Sequence, residues 1–223
     1  MLTLFFFCPF FRTDLKIIEK YIIIIIEKKI QNWRIAKRRI MITKAFKHFI
    51  LITKHKWYVF KNCCKARLFW RGLKHDLSKY SFVEFWESVK YFTGDKSPID
   101  NCKAHKGYSK AWMHHKGRNT HHYEYYVDNF DIGGQPLKMP FKDALELICD
   151  YIAAGQAYQK KNFTFKGEYA WWENKIKNPI VMHPDIIRFV TVMLKTMANE
   201  ENNDCLRPAR AKYYYKISSI KEI

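Results

Sequence analysis

The stretch FKDALELICDYIAAGQAY, residues 141–158, sets Phe141, Leu145, Ile148 and Ile152 about one helical turn apart, and no segment of the chain alternates apolar and polar residues for long enough to suggest a sheet. That regularity narrows the fold class to all-α. Helical spacing also links Phe46, Phe49, Ile52, Val59, Phe60 and Cys63, which predicts a helix from about residue 44 to 66. Ser81, three residues before Glu84, has the spacing of a capping box, and FVEFWESVKYF follows as an apolar run that Thr93-Gly94 closes. Ser97-Pro98 is expected to begin a polar connection, residues 108–126 to form a helix or helix pair, and residues 133–140 a loop. Residues 167–172 and 185–198 complete the set, the last after a His183-Pro184 turn and with Ile187, Val190, Met193 and Leu194 as its apolar positions. The expected architecture is a compact bundle of about six helices.

At 223 residues and 48% hydrophobic, the chain can bury one sizeable core, expected over 41–200, and nothing marks a second domain. The first forty residues stand apart. FFFCPFF and YIIIII are apolar, yet Arg12, Asp14, Lys16, Glu19 and Lys20 interrupt the region, so neither run reaches the roughly 20 residues of a spanning helix. A basic start, a single apolar block and a small-residue cleavage site do not occur in that order, which argues against a secretory signal. No membrane partner is expected. Phe, Ile, Lys and Tyr are the residues AT-rich codons encode, and Arg38-Arg39 ahead of Met41 fits a purine-rich ribosome-binding sequence read as protein. Residues 1–40 are therefore expected to be a non-native or disordered extension, with Met41 as the start; the alternative is an interfacial amphipathic anchor. Residues 201–223 are a basic tail open to disorder. Six cysteines without a CxxC pair, two of them adjacent at Cys63 and Cys64, read as reduced thiols in a cytoplasmic protein.

A formal charge of +19 suits an anionic partner, nucleic acid included, but the lysines are spread through every segment, as a solvated surface requires. Trp70, Trp86, Trp112, Trp171 and Trp172 could stack nucleobases; packing in a core is the plainer reading of so much aromatic area.

The histidines are less evenly spread. HHKGRNTHH, residues 114–122, holds four of the nine in nine positions. A continuous helix there would put His114 under His121, and His115, Asn119 and His122 on another face; Gly117 weakens that continuity, though short connectivity keeps the imidazoles close either way. Imidazole is the commonest metal ligand and also an ordinary surface group, so what decides is whether other donors join. His75-Asp76 offers a nitrogen and a carboxylate on neighbouring residues, His55 lies twenty positions upstream with His48 seven further back, and Asp150 lies in ICDY. On an ideal wheel Asp150 falls opposite the Leu145 and Ile148 stripe, so a metal role needs that helix packed on both sides; Ala153-Ala154-Gly155 is small enough to allow it. Glu124 and Asp128 are the spare carboxylates.

A histidine, an HD pair, further histidines and a distant aspartate, in that order, resemble the ligand pattern of the HD superfamily of metal-dependent phosphohydrolases. His55, His75-Asp76 and Asp150 stand in those places, and HDLSK resembles the HDxGK of the branch in which a lysine, here Lys79, follows the pair. From about Lys44 to Met193 the chain also resembles an uncharacterised family of bacterial and phage proteins that share HDLSKYS, AWxHHKGRNxHHYEYWVD and MICDY. Ser78 replaces the glycine of HDxGK and no GYP follows, so cyclic-dinucleotide hydrolysis does not carry over. The first resemblance implies an HD-domain-like fold over residues 41–200. It also implies a one- or two-metal site with His55, His75, Asp76, His115, His122 and Asp150 as ligands, and with His48, His114, His121 and Glu124 as alternates. Asp76, Lys79, Arg118 and Asn119 would carry the catalytic roles, the cations, with Lys116, holding phosphate oxygens and Asn119 orienting a ligand or meeting a sugar. Nitrogen and oxygen donors without thiolate favour manganese, iron, cobalt, nickel or magnesium. The leading expectation is a phosphohydrolase acting on a nucleotide or other small phosphoester. A di-iron oxygenase of the same superfamily and a non-catalytic basic module that binds nucleic acid are the alternatives.

Overall fold

A computed structural model describes residues 9–128, 131 and 133–220, with side chains described from residue 19 onward. Among these residues there is no strand, and the nine helices are α1 (Pro9–Lys65), α2 (Phe69–Lys74), α3 (Phe82–Tyr91), α4 (Pro98–Lys106), α5 (Lys110–Lys116), α6 (Phe141–Gln159), α7 (Phe165–Ile176), α8 (Pro184–Glu200) and α9 (Pro208–Ile217). Four short 3-10 turns join them, at Leu77–Tyr80, Tyr123–Tyr126, Lys160–Asn162 and Asp204–Leu206. The all-α expectation holds, with more helices than the bundle of six.

The contacts fall into two units, Met1–Lys44 and Ala45–Ile223. Residues 1–8 of the expected extension lie outside the described residues. From Pro9 the first unit is helical, and every described side chain from 19 to 40 is exposed, Ile22, Ile25 and Trp33 among them. No helix of the described residues is long and apolar enough to cross a membrane.

The second unit is built around α6. Every residue from Asp143 to Asp150 is buried, as are Ile152, Ala153 and Ala157. This is the two-sided packing that Asp150 required. Val59 and Cys63 of α1, Trp172 of α7 and Ile186, Phe189, Val190 and Met193 of α8 complete one apolar core with it. The Trp172 indole, wholly buried, still finds a partner by donating to Thr191 Oγ1 at 2.8 Å. Helix α2 sits against α1 through Gly72, where an added Cβ would come within 2.6 Å of Cys63 Cβ and 3.2 Å of Phe60 Cα.

Two expected irregular segments are helices instead. The polar connection after Ser97 is α4: Pro98 occupies the first turn, Asp100 complements the helix N-terminus, Lys103, His105 and Lys106 the C-terminus, and Gly107 at φ +81° ends it. Only Pro98 and Cys102 are buried in it, too few for an apolar period to show. Within the described residues the basic tail also carries a helix, α9. Cys205 and Leu206 enter the core, Ala211 of α9 is fully buried, and Tyr215 Oη donates to Met139 O at 2.7 Å. Its apolar anchors are sparse and separated by arginines and lysines, which hides them from a window of sequence. The 108–126 stretch splits into α5 and a 3-10 turn, because α5 ends at Lys116 with Gly117 as its cap.

Candidate metal centre

Four segments deliver the site. On α1, Lys56 donates to the carbonyls of Leu73 (2.6 Å) and His75 (2.8 Å), gripping the end of α2 and holding the HD doublet next to His55. The chain then turns sharply: Asp76 adopts φ +53° and ψ +27°, a left-handed conformation that costs a non-glycine residue about 1–2 kcal/mol. Ser109 caps α5 by accepting from Trp112 N and donates to Glu87 of α3, so the histidine segment starts from a fixed point. Asp150 comes from the centre of α6.

These segments converge on Asp76. His55 Nε2 and His75 Nε2 lie 3.7 and 3.2 Å from Asp76 Oδ2, and 3.0 and 3.6 Å from Asp150 Oδ1. Around the other oxygen, His115 Nε2 and His121 Nε2 each lie 3.3 Å from Asp76 Oδ1, with His122 Nε2 2.8 Å from His115 Nε2. Two sets of donors result, His55, His75, Asp76 and Asp150 on one side and Asp76, His115, His121 and His122 on the other, with every donor atom of a set within 4.8 Å of the rest. A third combination, His75, His121 and Glu146, overlaps both.

Three observations fit this donor set to cations. Among the described residues His55 Nε2, His75 Nε2, His121 Nε2 and Asp76 Oδ1 are buried without a well-formed hydrogen bond, a costly arrangement for polar atoms that face one another, while Asp76 Oδ2 is countered by the Lys79 ammonium. The opposite ring nitrogens are held by carboxylates: Glu146 Oε1 is 2.9 Å from His75 Nδ1 and 3.5 Å from His121 Nδ1, and Glu84 Oε2 is 2.8 Å from His115 Nδ1. A carboxylate on one nitrogen directs the other toward a metal. Finally, burial and then the positive charge of neighbouring His121 and His115 hold His122 well below the ordinary imidazole range, so it stays a neutral donor.

The charges in the cluster largely compensate. Burial pushes the Asp76 carboxyl up, but the charges of His75, Lys79 and His115 outweigh it and hold the group well below the usual carboxylate range. Asp150 is likewise lowered against burial, by the close approach of the His55 and His75 imidazoles. Lys79 Nζ lies 2.5 Å from Asp76 Oδ2.

Of the expected ligands, His55, His75, Asp76, His115, His122 and Asp150 all come together, and the alternate His121 joins them. His114 turns aside to Glu84 Oε1 at 2.6 Å, and neither His48 nor Glu124 belongs to a donor set. Of the expected catalytic groups, Lys79 lines the cavity beside the cluster. Arg118 does not: it is exposed and donates to the carbonyl of His114, because the chain beyond Gly117 carries it outward. Lys116 does not line the cavity either. Asn119 also stays out of the cavity and braces the centre from behind, donating to Ser78 Oγ (3.0 Å) and His115 O (2.8 Å). Glu84 and Glu146 are the residues the sequence reading missed. Glu84 was visible only as a capping residue; Ser81 Oγ does accept from its backbone N–H, but its carboxylate goes to the histidines. Glu146 stands one turn before Asp150, which is the signal that could have found it.

The cavity beside the cluster, about 490 Å³, has Leu51, Ile52, Trp112, Tyr151, Tyr158 and Trp171 in its wall, Lys79, Lys96 and Lys175 among its cations, and Glu168 as a buried acid beside Asp95 and Asp100.

A family of unknown function (DUF5662) matches residues 44–196, more than half of the chain and all of the candidate metal ligands. The chain belongs to DUF5662. The DUF5662 match begins at Lys44 and ends within α8, so the first unit before Lys44 and α9 lie outside it. No curated protein and no solved structure matches the chain.

Proposed function

We propose that this protein is a metal-dependent phosphohydrolase acting on a small phosphoester. The observation that carries the reading is the pair of buried donor sets sharing Asp76, with unpartnered Nε2 atoms on one side and carboxylates on the Nδ1 atoms behind them. The likeness of His55, His75-Asp76 and Asp150 to the HD superfamily's ligand order supports it. His55, His75 and Asp150 would hold one divalent cation and His115, His121 and His122 a second, with Asp76 common to both. The donors are nitrogen and oxygen only, which suits manganese, iron, cobalt, nickel or magnesium. Such a pair supplies Lewis acidity toward phosphoryl oxygens and a water acidified toward neutrality.

The chain's own groups do the rest. Lys79, fixed by its ion pair to Asp76, presents its ammonium at the cavity edge where a phosphate would lie, and Lys175 offers a second positive charge across the same space. Glu146 and Glu84 keep three of the imidazoles in register, and Arg71 fixes Glu146 in turn at 2.5 Å while pairing with Asp143.

The test is the metal content of the purified chain, measured beside phosphate release from a panel of phosphoesters, for wild type and His75→Ala. The variant is expected to lose at least half of the bound metal and release to fall by a factor of roughly a hundred or more. Unchanged metal in His75→Ala, or no release from a metal-replete wild type, overturns the reading.

A further inference from the structure

Glu168 has no role in the metal centre, yet it lines the same cavity. It is 3% exposed, and its carboxylate makes no hydrogen bond or ion pair among the described residues; only its backbone is bonded, to Thr164 O. A carboxylate whose residue is nearly buried, that reaches solvent only through the cavity and that has no protein donor, is open to a donor brought by a ligand. The fold makes room for it. Gly155 of α6 has no side chain where Glu168 Oε2 lies, and a Cβ there would fall 2.1 Å from that oxygen. Gly155 is five residues beyond Asp150, or roughly 7.5 Å along the helix axis. That is the reach from a phosphoryl group to a hydroxyl a few carbons away.

The surroundings choose the donor. Lys175 Nζ already sits over the rings of Tyr151, Trp171 and Tyr123, at 4.8, 5.2 and 5.5 Å from their centroids. It donates to Tyr151 Oη at 3.2 Å and makes no ion pair with Glu168, so the donor for that carboxylate is left to a ligand. Tyr151, Tyr158 and Trp171 line the cavity with Glu168, and aromatic faces accept the C–H surface of a sugar or polyol.

We propose that Glu168 binds a hydroxyl on the alcohol portion of the substrate, so that the phosphoester belongs to a sugar or polyol and not to a bare alkyl or aryl alcohol. The inference rests on the phosphohydrolase reading. Burial, and then the charge of Asp150, push the Glu168 pKa up to about 7, so near neutrality the group can both donate and accept, as a hydroxyl does.

The experiment compares kcat/KM of the metal-replete full chain for ribose 5-phosphate and glycerol 3-phosphate against ethyl phosphate and p-nitrophenyl phosphate, in wild type, Glu168→Ala and Glu168→Gln. Wild type is expected to prefer the hydroxylated esters by about ten- to a hundredfold, and Glu168→Ala to erase that preference through KM, with Glu168→Gln between them. Equal kcat/KM for the two classes in wild type, or an unaltered preference in Glu168→Ala, overturns the proposal. Tryptophan fluorescence, with Trp171 in the cavity wall, reads ribose 5-phosphate binding without catalysis. If no ester is turned over, the phosphohydrolase reading falls, and the titration still decides the role of Glu168: weaker binding in Glu168→Ala upholds it and identical binding ends it.

Discussion

His48 shares a face of α1 with His55, yet it is a core residue. It is 4% exposed, its Nδ1 has no partner, and Phe85 and Phe92 pack on its ring at 5.4 Å each. Burial, followed by the charge of Lys79, lowers its pKa to about 4 from 6.5. The unfolded chain therefore takes up a proton that the folded chain refuses, so stability present above pH 6.5 is lost as pH falls toward 4. His48→Leu removes both the orphaned nitrogen and this titration. It should stabilise the fold by about 2 kcal/mol more at pH 5 than at pH 8 while leaving metal content unchanged, which denaturant melts at the two pH values and metal analysis would check. The resemblance to the HD superfamily's ligand order pointed to His55, His75, Asp76 and Asp150, and the structure brings these four together. The choice between His114 and His115, or between His121 and His122, could not be read from the sequence: after Gly117 the chain leaves the helix, and no wheel then says which imidazole turns inward. Glu84 and Glu146 were obscured for a different reason, since a glutamate behind a histidine looks in sequence like any helical glutamate.

At the scale of elements, α6 was legible as a helix but its surroundings were not. Asp143, Glu146 and Asp150 resemble a wet face on paper, and the structure buries all three by setting Arg71 and the histidines against them. Helix α2 shows the same dependence on tertiary contact. Its six residues could not hold a helix alone, and the close approach at Gly72 provides the packing. Gly72→Ala drives a Cβ into Cys63 and the backbone at Phe60, and neither can give way. A loss of about 1–3 kcal/mol is expected by chemical denaturation, together with weaker metal binding, because His75 is the C-cap of α2. A variant as stable as wild type would show that α2 shifts freely. The helices α4 and α9 were missed where apolar residues were too few to set a period, although the start and stop residues of α4 were all in view.

Across the whole molecule, the unit from Ala45 to Ile223 contains the core, the cavity and the metal centre, while residues 19–40 bury none of their side chains. The net charge of +19 is spread over the surface, and the carboxylates that matter are gathered inside. The ion pair between Lys79 and Asp76 carries a consequence for how the protein is assembled. A chain whose buried acids are already countered by its own ammonium and imidazolium groups needs no cation to complete its fold, so a metal at the proposed site would bind after folding. Stripping with a chelator should leave the far-ultraviolet circular dichroism essentially intact, in contrast to small zinc modules that collapse without their ion, and a chelated sample that loses its helical signal would reverse that order of events.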